Sequence, residues 1–210
     1  MKHLLSLMTV CLLSLSAQAQ QTWDFLDLSE SIPLIEADNI NWNVDKYQTD
    51  VPIQWSNNIA FTEWSTLKAN GEEIPATKGL MFIGDKGKLL FSISSKNKNY
   101  FKLNNNKAKI KICNLKKGQK ITIVGVSGSK EEPRTFTAVE NLEVTSGMEP
   151  TLEEQTSEAK VMNDGDIVIG CTNAMNVYSI SLSADATGIA QTTISKPSGN
   201  DKFYTLDGKQ

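Results

Sequence analysis

The chain has 210 residues and is mildly acidic, with 21 Lys and Arg against 24 Asp and Glu. This balance provides no basic stripe for nucleic acid and no excess of charge for membrane attachment. Arg134 is the single arginine in the sequence, which argues against bidentate recognition of phosphate or guanine. A hydrophobic content of 40% is sufficient for the core of one domain of ordinary size.

Residues 1–19 have the three parts of a secretory signal peptide. A short basic start precedes an apolar run, and Ala17 and Ala19 form the small-x-small site that signal peptidase requires. We expect cleavage before Gln20 and a protein that is secreted, either extracellular or at the outer-membrane surface. The apolar run is too short for a stable membrane span, so a retained anchor is the less favoured alternative.

Cleavage of the signal changes which reactive side chains the mature protein contains. The one histidine, His3, leaves with the signal, so the mature protein has none. Ser-His-Asp and Cys-His nucleophiles are therefore excluded, as are histidine-ligated zinc and iron sites. With no catalytic motif, the sequence predicts a protein that is not an enzyme and needs no cofactor. A glycosidase that uses only carboxylates is the alternative. Its candidate residues are Glu131, Glu132, Glu140, Glu143, Asp164 and Asp166.

Two cysteines, Cys113 and Cys171, remain after the signal has removed Cys11. Lipidation at Cys11 is disfavoured, because Val10 before it is larger than lipidation usually requires. Both remaining cysteines lie in apolar, strand-like segments of a protein exposed to an oxidising environment. A disulfide between paired strands and two buried free thiols are both open alternatives. The absence of Cys-x-x-Cys spacing leaves a redox or zinc site without support.

Strand patterns dominate residues 20–182. Residues 108–112 alternate, with lysines directed to water and isoleucines to the interior. Residues 79–93 and residues 159–169 each predict a hairpin around a glycine-containing turn. The one helix-compatible stretch, residues 150–160, has too few apolar residues to bury a face. Many short strands separated by glycine and asparagine predict an all-β fold, a β-sandwich of the jelly-roll type.

The composition changes after Leu182. Residues 183–201 are small and polar and predict a flexible linker. Residues 202–210 predict the start of a tail, with one strand and an Asp-Gly turn but no returning strand. The sequence FYTLDGKQ at residues 203–210 resembles the opening of the C-terminal tail domain of secreted Bacteroidetes proteins. The resemblance implies a truncated tail and a secretion machinery that engages it.

Short motifs along the domain occur in a recognisable order. They are TWDF at residues 22–25, GEEIPATKGLMF at residues 71–82 and ICNLKKG at residues 112–118. They resemble the non-catalytic jelly-roll domain of secreted Bacteroidetes proteins, which in some members stands before a pectate-lyase-type catalytic domain. The resemblance covers residues 23–182 and implies a β-sandwich of the carbohydrate-binding type, without a set of binding residues. Lyase-linked members continue into a catalytic domain, whereas this chain continues into the linker.

All four tryptophans lie in the first third of the mature chain. Trp23 and Trp42 belong to alternating patterns that favour burial in the core. The other two are flanked by polar residues, and an exposed indole offers a flat platform to the apolar face of a sugar ring. Two asparagines between them can bind sugar hydroxyls. The predicted ligand-binding residues are Trp55, Asn57, Asn58 and Trp64.

The loop at residues 163–166 is rich in oxygen ligands. Asp164 and Asp166 are calcium candidates there, although an ordinary hairpin turn with Gly165 at positive φ is favoured. The sequence as a whole predicts a secreted, non-catalytic protein that binds extracellular polysaccharide or supports a glycan-degrading surface assembly. The alternatives are a structural or adhesion protein with a protein partner, and the remnant of a polysaccharide lyase that lacks its catalytic domain.

Overall fold

A computed structural model describes residues 20–45, 53–94 and 98–183. The predicted signal peptide, the predicted tail and all of the predicted linker except Ser183 lie outside the described residues. Within the described ranges, no helix is long and apolar enough to cross a membrane.

Short strands account for most of the described chain. They are β1 (Gln21–Asp24), β2 (Trp42–Asp45), β3 (Ile53–Asn57), β4 (Phe61–Ser65), β5 (Lys68–Ala69), β6 (Glu72–Glu73), β7 (Leu80–Gly84), β8 (Leu89–Ile93), β9 (Tyr100–Asn104), β10 (Lys109–Leu115), β11 (Lys120–Ser127), β12 (Phe136–Glu140), β13 (Leu142–Ser146), β14 (Gln155–Val161), β15 (Gly165–Cys171) and β16 (Ala174–Leu182). The helical elements are α1 (Ile32–Ala37) and a 3₁₀ helix (Pro75–Thr77).

The strands form two large antiparallel sheets. The larger sheet has the order β13-β14-β11-β16-β9-β8-β3-β2, and β1 also pairs with β16. The smaller sheet has the order β12-β15-β10-β7-β4, and β5 pairs separately with β6. From β7 onward, most consecutive strands alternate between the two large sheets, as is typical of a jelly roll. The predicted all-β sandwich is confirmed.

The core lies between the sheets and is built from alternate residues of each strand. In β10, Ile110 and Ile112 are buried, and the lysines beside them face outward, as the sequence predicts. At the centre of the core, the Phe101 ring lies 5.0 Å from Phe91 and 5.3 Å from Phe82, measured between centroids. This aromatic cluster joins the two sheets, because Phe82 belongs to the smaller sheet and the other two rings to the larger.

Trp23 and Trp42 are part of this core, as predicted. Their exposed fractions are 4% and 2%. Each indole N–H donates to a backbone carbonyl, that of Lys78 at 2.8 Å for Trp23 and that of Lys68 at 2.9 Å for Trp42. The polar edge of each ring is therefore satisfied within the fold.

Both predicted hairpins are wrong. β7 pairs with β4 and β10 in the smaller sheet, whereas β8 pairs with β3 and β9 in the larger. In the same way, β14 belongs to the larger sheet and β15 to the smaller. Each connection is therefore an arch that crosses from one sheet to the other. Gly165 in the second arch does have the expected positive φ, 137°.

The helix-compatible stretch at residues 150–160 forms no helix. Most of it continues into β14, where Gln155, Ser157 and Ala159 alternate inward. The short helix α1 lies elsewhere, with Pro33 in its first turn and one buried apolar face. Six residues with a single buried face give too weak a periodic pattern to be recognised in the sequence.

Candidate functional site

Trp55 is a core residue, and its predicted exposure is wrong. It lies in β3 between Val44 and Phe91 of the neighbouring strands, and its exposed fraction is 1%. Its indole nitrogen is buried and has no hydrogen-bond partner in the part of the chain that the structure describes. The polar residue before it, Gln54, belongs to the opposite face of the sheet because side chains alternate along a strand. A polar neighbour in a strand therefore does not indicate that the tryptophan is exposed.

Asn57 has a structural role in place of the predicted ligand contact. Its carboxamide nitrogen donates to the carbonyls of Ile59 (2.6 Å) and Asp85 (3.1 Å). Its oxygen accepts from the amides of Lys88 (3.0 Å) and Leu89 (2.9 Å). These four bonds use the whole hydrogen-bonding capacity of the side chain, which is 1% exposed.

Asn58 is held in a similar way at the surface. Its side-chain nitrogen donates to the carbonyl of Ile40 at 2.8 Å, and its oxygen accepts from the side chain of Asn43 at 3.0 Å. Both bonds connect the end of β3 to the segment around β2. The pair of asparagines therefore stabilises the end of the larger sheet.

Trp64 retains some exposed surface on β4, the outermost strand of the smaller sheet. The ammonium of Lys111 lies 5.0 Å from the centroid of its ring. The same ammonium is 3.4 Å from a carboxylate oxygen of Asp166, and the Lys111 side chain is only 17% exposed. A half-buried cation therefore already covers part of the indole that was predicted to stack on a sugar.

Asp164 and Asp166 are engaged by the polypeptide itself. Asp164 accepts the backbone N–H of Lys117 at 2.8 Å, and Asp166 accepts that of Asn114 at 3.1 Å. These backbone bonds are the main reason that the pKa of each carboxyl is lowered, and a lysine near each one lowers it further. Within the described residues, no three His, Cys, Asp or Glu side chains are grouped around a metal position. Calcium binding at this loop stays a prediction.

Of the two alternatives for the cysteines, the structure has the free thiols, because Cys113 and Cys171 form no disulfide. Cys113 lies beside Asp166 near the start of β15, whereas Cys171 ends that strand. Five residues along a strand span about 17 Å, and a disulfide requires Cα atoms within roughly 7 Å. Burial raises the pKa of Cys171 to about 12, and burial also raises that of Cys113, which is half-buried.

The remaining candidate carboxylates of a glycosidase lie on exposed positions. Glu132 pairs with Arg134 at 2.7 Å in the loop before β12. A catalytic acid usually requires apolar surroundings that raise its pKa. The four exposed glutamates are Glu131, Glu132, Glu140 and Glu143.

One group of side chains was not predicted from the sequence. It lies on the outer face of the larger sheet. In β9, Phe101 and Leu103 point into the core, so Tyr100 and Lys102 point away from it. The strand register places Ser92 opposite Tyr100, Gln54 opposite Ser92, and Asn176 opposite Lys102. We call this surface the Tyr100 face; its members are Gln54, Ser92, Tyr100, Lys102, Asn176 and Tyr178.

The Tyr100 face contains polar groups with unused bonding capacity. The amide nitrogen of Gln54 donates to the Tyr100 hydroxyl at 2.9 Å, which confirms that both side chains lie on one face. The hydroxyl oxygen of Ser92 and the amide oxygen of Asn176 are buried without a hydrogen-bond partner among the described residues. Leaving such a group unpaired costs about 1–3 kcal/mol.

Lys102 lies in the middle of this face and is half-buried. None of the ion pairs formed within the described ranges includes it. Its pKa is lowered, first by burial and then by the positive charges of Arg134 and Lys88. The surroundings of Lys102 therefore provide no compensating negative charge.

A β-bulge presents the second aromatic ring of the face. Val124 pairs with Ser179 and Gly125 with Val177, so Tyr178 is the extra residue of β16. Its half-buried ring lies 4.9 Å from the ammonium of Lys98. The glycine inside the β11 pattern is the sequence signal for such a bulge, and it could have indicated this site.

Comparison with known proteins identifies no family for this chain. The chain matches no protein-family model. No curated protein is detectably similar to it.

Proposed function

We propose that this protein binds an extracellular glycan on the Tyr100 face. The observation that carries the proposal is the placement on one sheet face of the half-buried Tyr100 ring with the Lys102 ammonium and polar groups that are unpaired among the described residues. The Tyr178 ring lies on the same face but is partly covered by the Lys98 ammonium. Apolar faces of sugar rings stack on aromatic rings, and their hydroxyls need both donors and acceptors. The Tyr100 face carries an aromatic ring and polar groups side by side on neighbouring strands.

The unpaired groups give this proposal its energetic argument. The Asn176 oxygen and the Ser92 hydroxyl are buried and unpaired within the described ranges. A sugar hydroxyl that bonds to either removes the cost of leaving it unpaired but first requires the covering side chains to move. Gln54 already orients the Tyr100 ring, so little side-chain entropy is lost when a ligand stacks on it. Rigid strands carry Tyr100 and Lys102, which suits the part of the site that is accessible.

The cellular setting is part of the same proposal. The signal-like residues 1–19 support secretion, and the resemblance to carbohydrate-binding jelly-roll domains of secreted Bacteroidetes proteins supports a glycan ligand. The lack of histidine after residue 19 supports a non-catalytic role. The protein would then hold a polysaccharide, or a glycan-degrading assembly, at the cell surface, with the tail engaged by the secretion machinery.

Affinity electrophoresis of the mature protein in gels that contain single polysaccharides tests this function. We expect retardation in at least one gel and its loss on Tyr100→Ala. Trp64→Ala is the matched control, because it removes a half-buried aromatic side chain from the other sheet. Loss of retardation with Trp64→Ala and not with Tyr100→Ala would move the site to the smaller sheet.

A structural or adhesion role is the second candidate, and an exposed apolar patch favours it. Ile40 is 75% exposed, and Ile59 and Val44 are also exposed near β2, the end strand of the larger sheet. No other strand of the described ranges pairs with the outer edge of β2, and a strand edge with apolar side chains can pair with a protein partner. Equal mobility of the protein in every polysaccharide gel would favour this candidate over glycan binding.

A further inference from the structure

Lys102 lacks a carboxylate partner among the described residues, whereas several other lysines of the chain have one. Lys98, Lys111, Lys116 and Lys120 each lie within 4 Å of a carboxylate: Glu154 (2.5 Å), Asp166 (3.4 Å), Asp164 (3.0 Å) and Glu158 (2.6 Å). Lys102 is less accessible than an ordinary surface lysine and has no such partner in the described part of the chain. A half-buried cation without an anion is unfavourable for the folded protein.

The neighbours of Lys102 on its own face explain why no carboxylate reaches it. The register places it between Leu90 of β8 and Asn176 of β16. Lys88, two residues before Leu90, is its diagonal neighbour on the same face, about 7–8 Å away by the usual spacing of strands. The charged groups that act on it, Lys88 and Arg134, are both positive. The charges that act on Lys102 are therefore positive, although Arg134 is itself paired with Glu132 and the whole chain is acidic.

From this arrangement we infer that the Tyr100 face selects glycans that carry anionic groups, carboxylate or sulfate, and that Lys102 binds the anion. The inference rests on the proposed glycan-binding function and specifies the ligand class of the same site. An anion at Lys102 supplies the negative charge that the fold leaves out, and a charge-assisted hydrogen bond is about twice as strong as a neutral one.

The groups beside Lys102 fit a charged sugar better than a bare ion. The buried Asn176 oxygen requires a hydrogen-bond donor, which a sugar hydroxyl provides once the side chains that cover it move and which a sulfate dianion lacks. Tyr100, two residues before Lys102 on the same strand face, offers a ring for the adjacent sugar. The accessible cation and aromatic ring thus match two different parts of an acidic glycan.

Two matched pairs of polysaccharides isolate the charge. Polygalacturonate and its fully methyl-esterified form share a backbone and differ in carboxylate charge, and dextran sulfate and dextran do the same for sulfate. We expect the mature protein to bind one charged member at least about tenfold more tightly than its neutral partner, as measured by titration calorimetry. The pair that shows the preference identifies carboxylate or sulfate as the anion.

Lys102→Gln is the test variant, and Lys78→Gln, at an exposed lysine beside the 3₁₀ helix, is the control. We expect Lys102→Gln to remove the preference for the charged glycan while it keeps the weaker binding to the neutral one. Lys78→Gln should leave both affinities unchanged. Thermal denaturation of each variant establishes that it is folded.

The outcomes separate this inference from the function on which it rests. A preference that persists in Lys102→Gln, or equal binding of charged and neutral partners, overturns the inference and leaves glycan binding in place. No binding to any polysaccharide overturns the proposed function itself. Equal affinity for single-stranded DNA and for the charged glycan would show unspecific charge attraction and would also overturn the inference.

Discussion

At the scale of single residues, the carboxamide of Asn57 joins β3 to the start of β8 and the loop before it through three hydrogen bonds, and a fourth bond goes to the Ile59 carbonyl. Asn57→Ala would remove all four bonds at a buried position. We expect the free energy of unfolding to fall by about 2–4 kcal/mol, measured by urea denaturation. The exposed Asn106→Ala should change it by less than about 0.5 kcal/mol. Equal effects of the two substitutions would contradict the structural role of Asn57.

The two thiols should differ in reactivity. With a pKa of about 12, Cys171 is almost entirely protonated at neutral and mildly basic pH, and the thiolate is the reactive form. Iodoacetamide at pH 8 should therefore label Cys113 first and leave Cys171 unmodified until denaturant is added. Peptide mass spectrometry measures both sites and would also detect a disulfide-linked peptide. Either that peptide or early labelling of Cys171 would contradict the structure.

Lys102 should reduce the stability of the unliganded protein. Its pKa in the folded state is lowered from 10.5, so the folded state disfavours the charged form. The cost is fully present well below the folded pKa and diminishes as pH rises towards 10.5. Lys102→Met should raise Tm by roughly 2–4 °C at pH 7, and the gain should shrink at high pH. Lys78→Met, scanned in parallel, should show no pH-dependent gain.

At the scale of elements, the bulge in β16 depends on Gly125. A Cβ atom there would collide with the Asn176 carbonyl oxygen and lie 2.7 Å from the Phe136 ring. Backbone and core ring cannot both move away, so Gly125→Ala should destabilise the protein by about 3 kcal/mol or more. Gly84→Ala, whose nearest contact is the Leu89 side chain at 3.3 Å and which meets no backbone atom closer than 3.6 Å, should cost less in the same thermal scan. The opposite order would show that the bulge tolerates a side chain.

The sequence was sufficient to predict the strands but not to predict which strands pair with each other. Alternation correctly predicted the inward and outward residues of β10, because the period of two is a local property. The same period describes a strand in a hairpin and a strand that begins after an arch. For this reason the sequence pattern wrongly predicts hairpins around Asp85 and Gly165. Sheet membership depends on contacts between residues far apart in sequence, such as Asn57 with the loop before β8.

The candidate site could not be predicted for a related reason. Its members come from β3, β8, β9 and β16, and only the strand register brings them together. None of these segments carries a motif by itself. Tryptophan content suggested Trp55 instead, although a large apolar ring gains most free energy in the core. Lys102 could have been identified as outward-facing, but its lack of a partner is visible only in three dimensions.

At the scale of the whole molecule, salt should weaken the binding of a charged glycan and leave that of a neutral one almost unchanged. Exposed ion pairs are screened strongly between about 0.05 and 0.5 M salt, whereas a half-buried pair is screened less. We therefore expect a loss of affinity of only a few fold across this range, measured by titration calorimetry. A loss of about a hundredfold or more would indicate binding to scattered surface lysines instead of the Tyr100 face.

The pairing of β1 with β16 determines how the molecule responds to mechanical load. Gln21 lies opposite Leu182, so both ends of the sandwich leave from the same end of one antiparallel ladder. Tension between the two ends would open that ladder like a zipper, one hydrogen bond at a time, which requires little force. Tension between a glycan on the Tyr100 face and the C-terminal end of β16 does not pass through β1. The sandwich therefore resists little force when pulled by its two ends, and a load applied between the Tyr100 face and the C-terminal end of β16 would avoid this weak ladder.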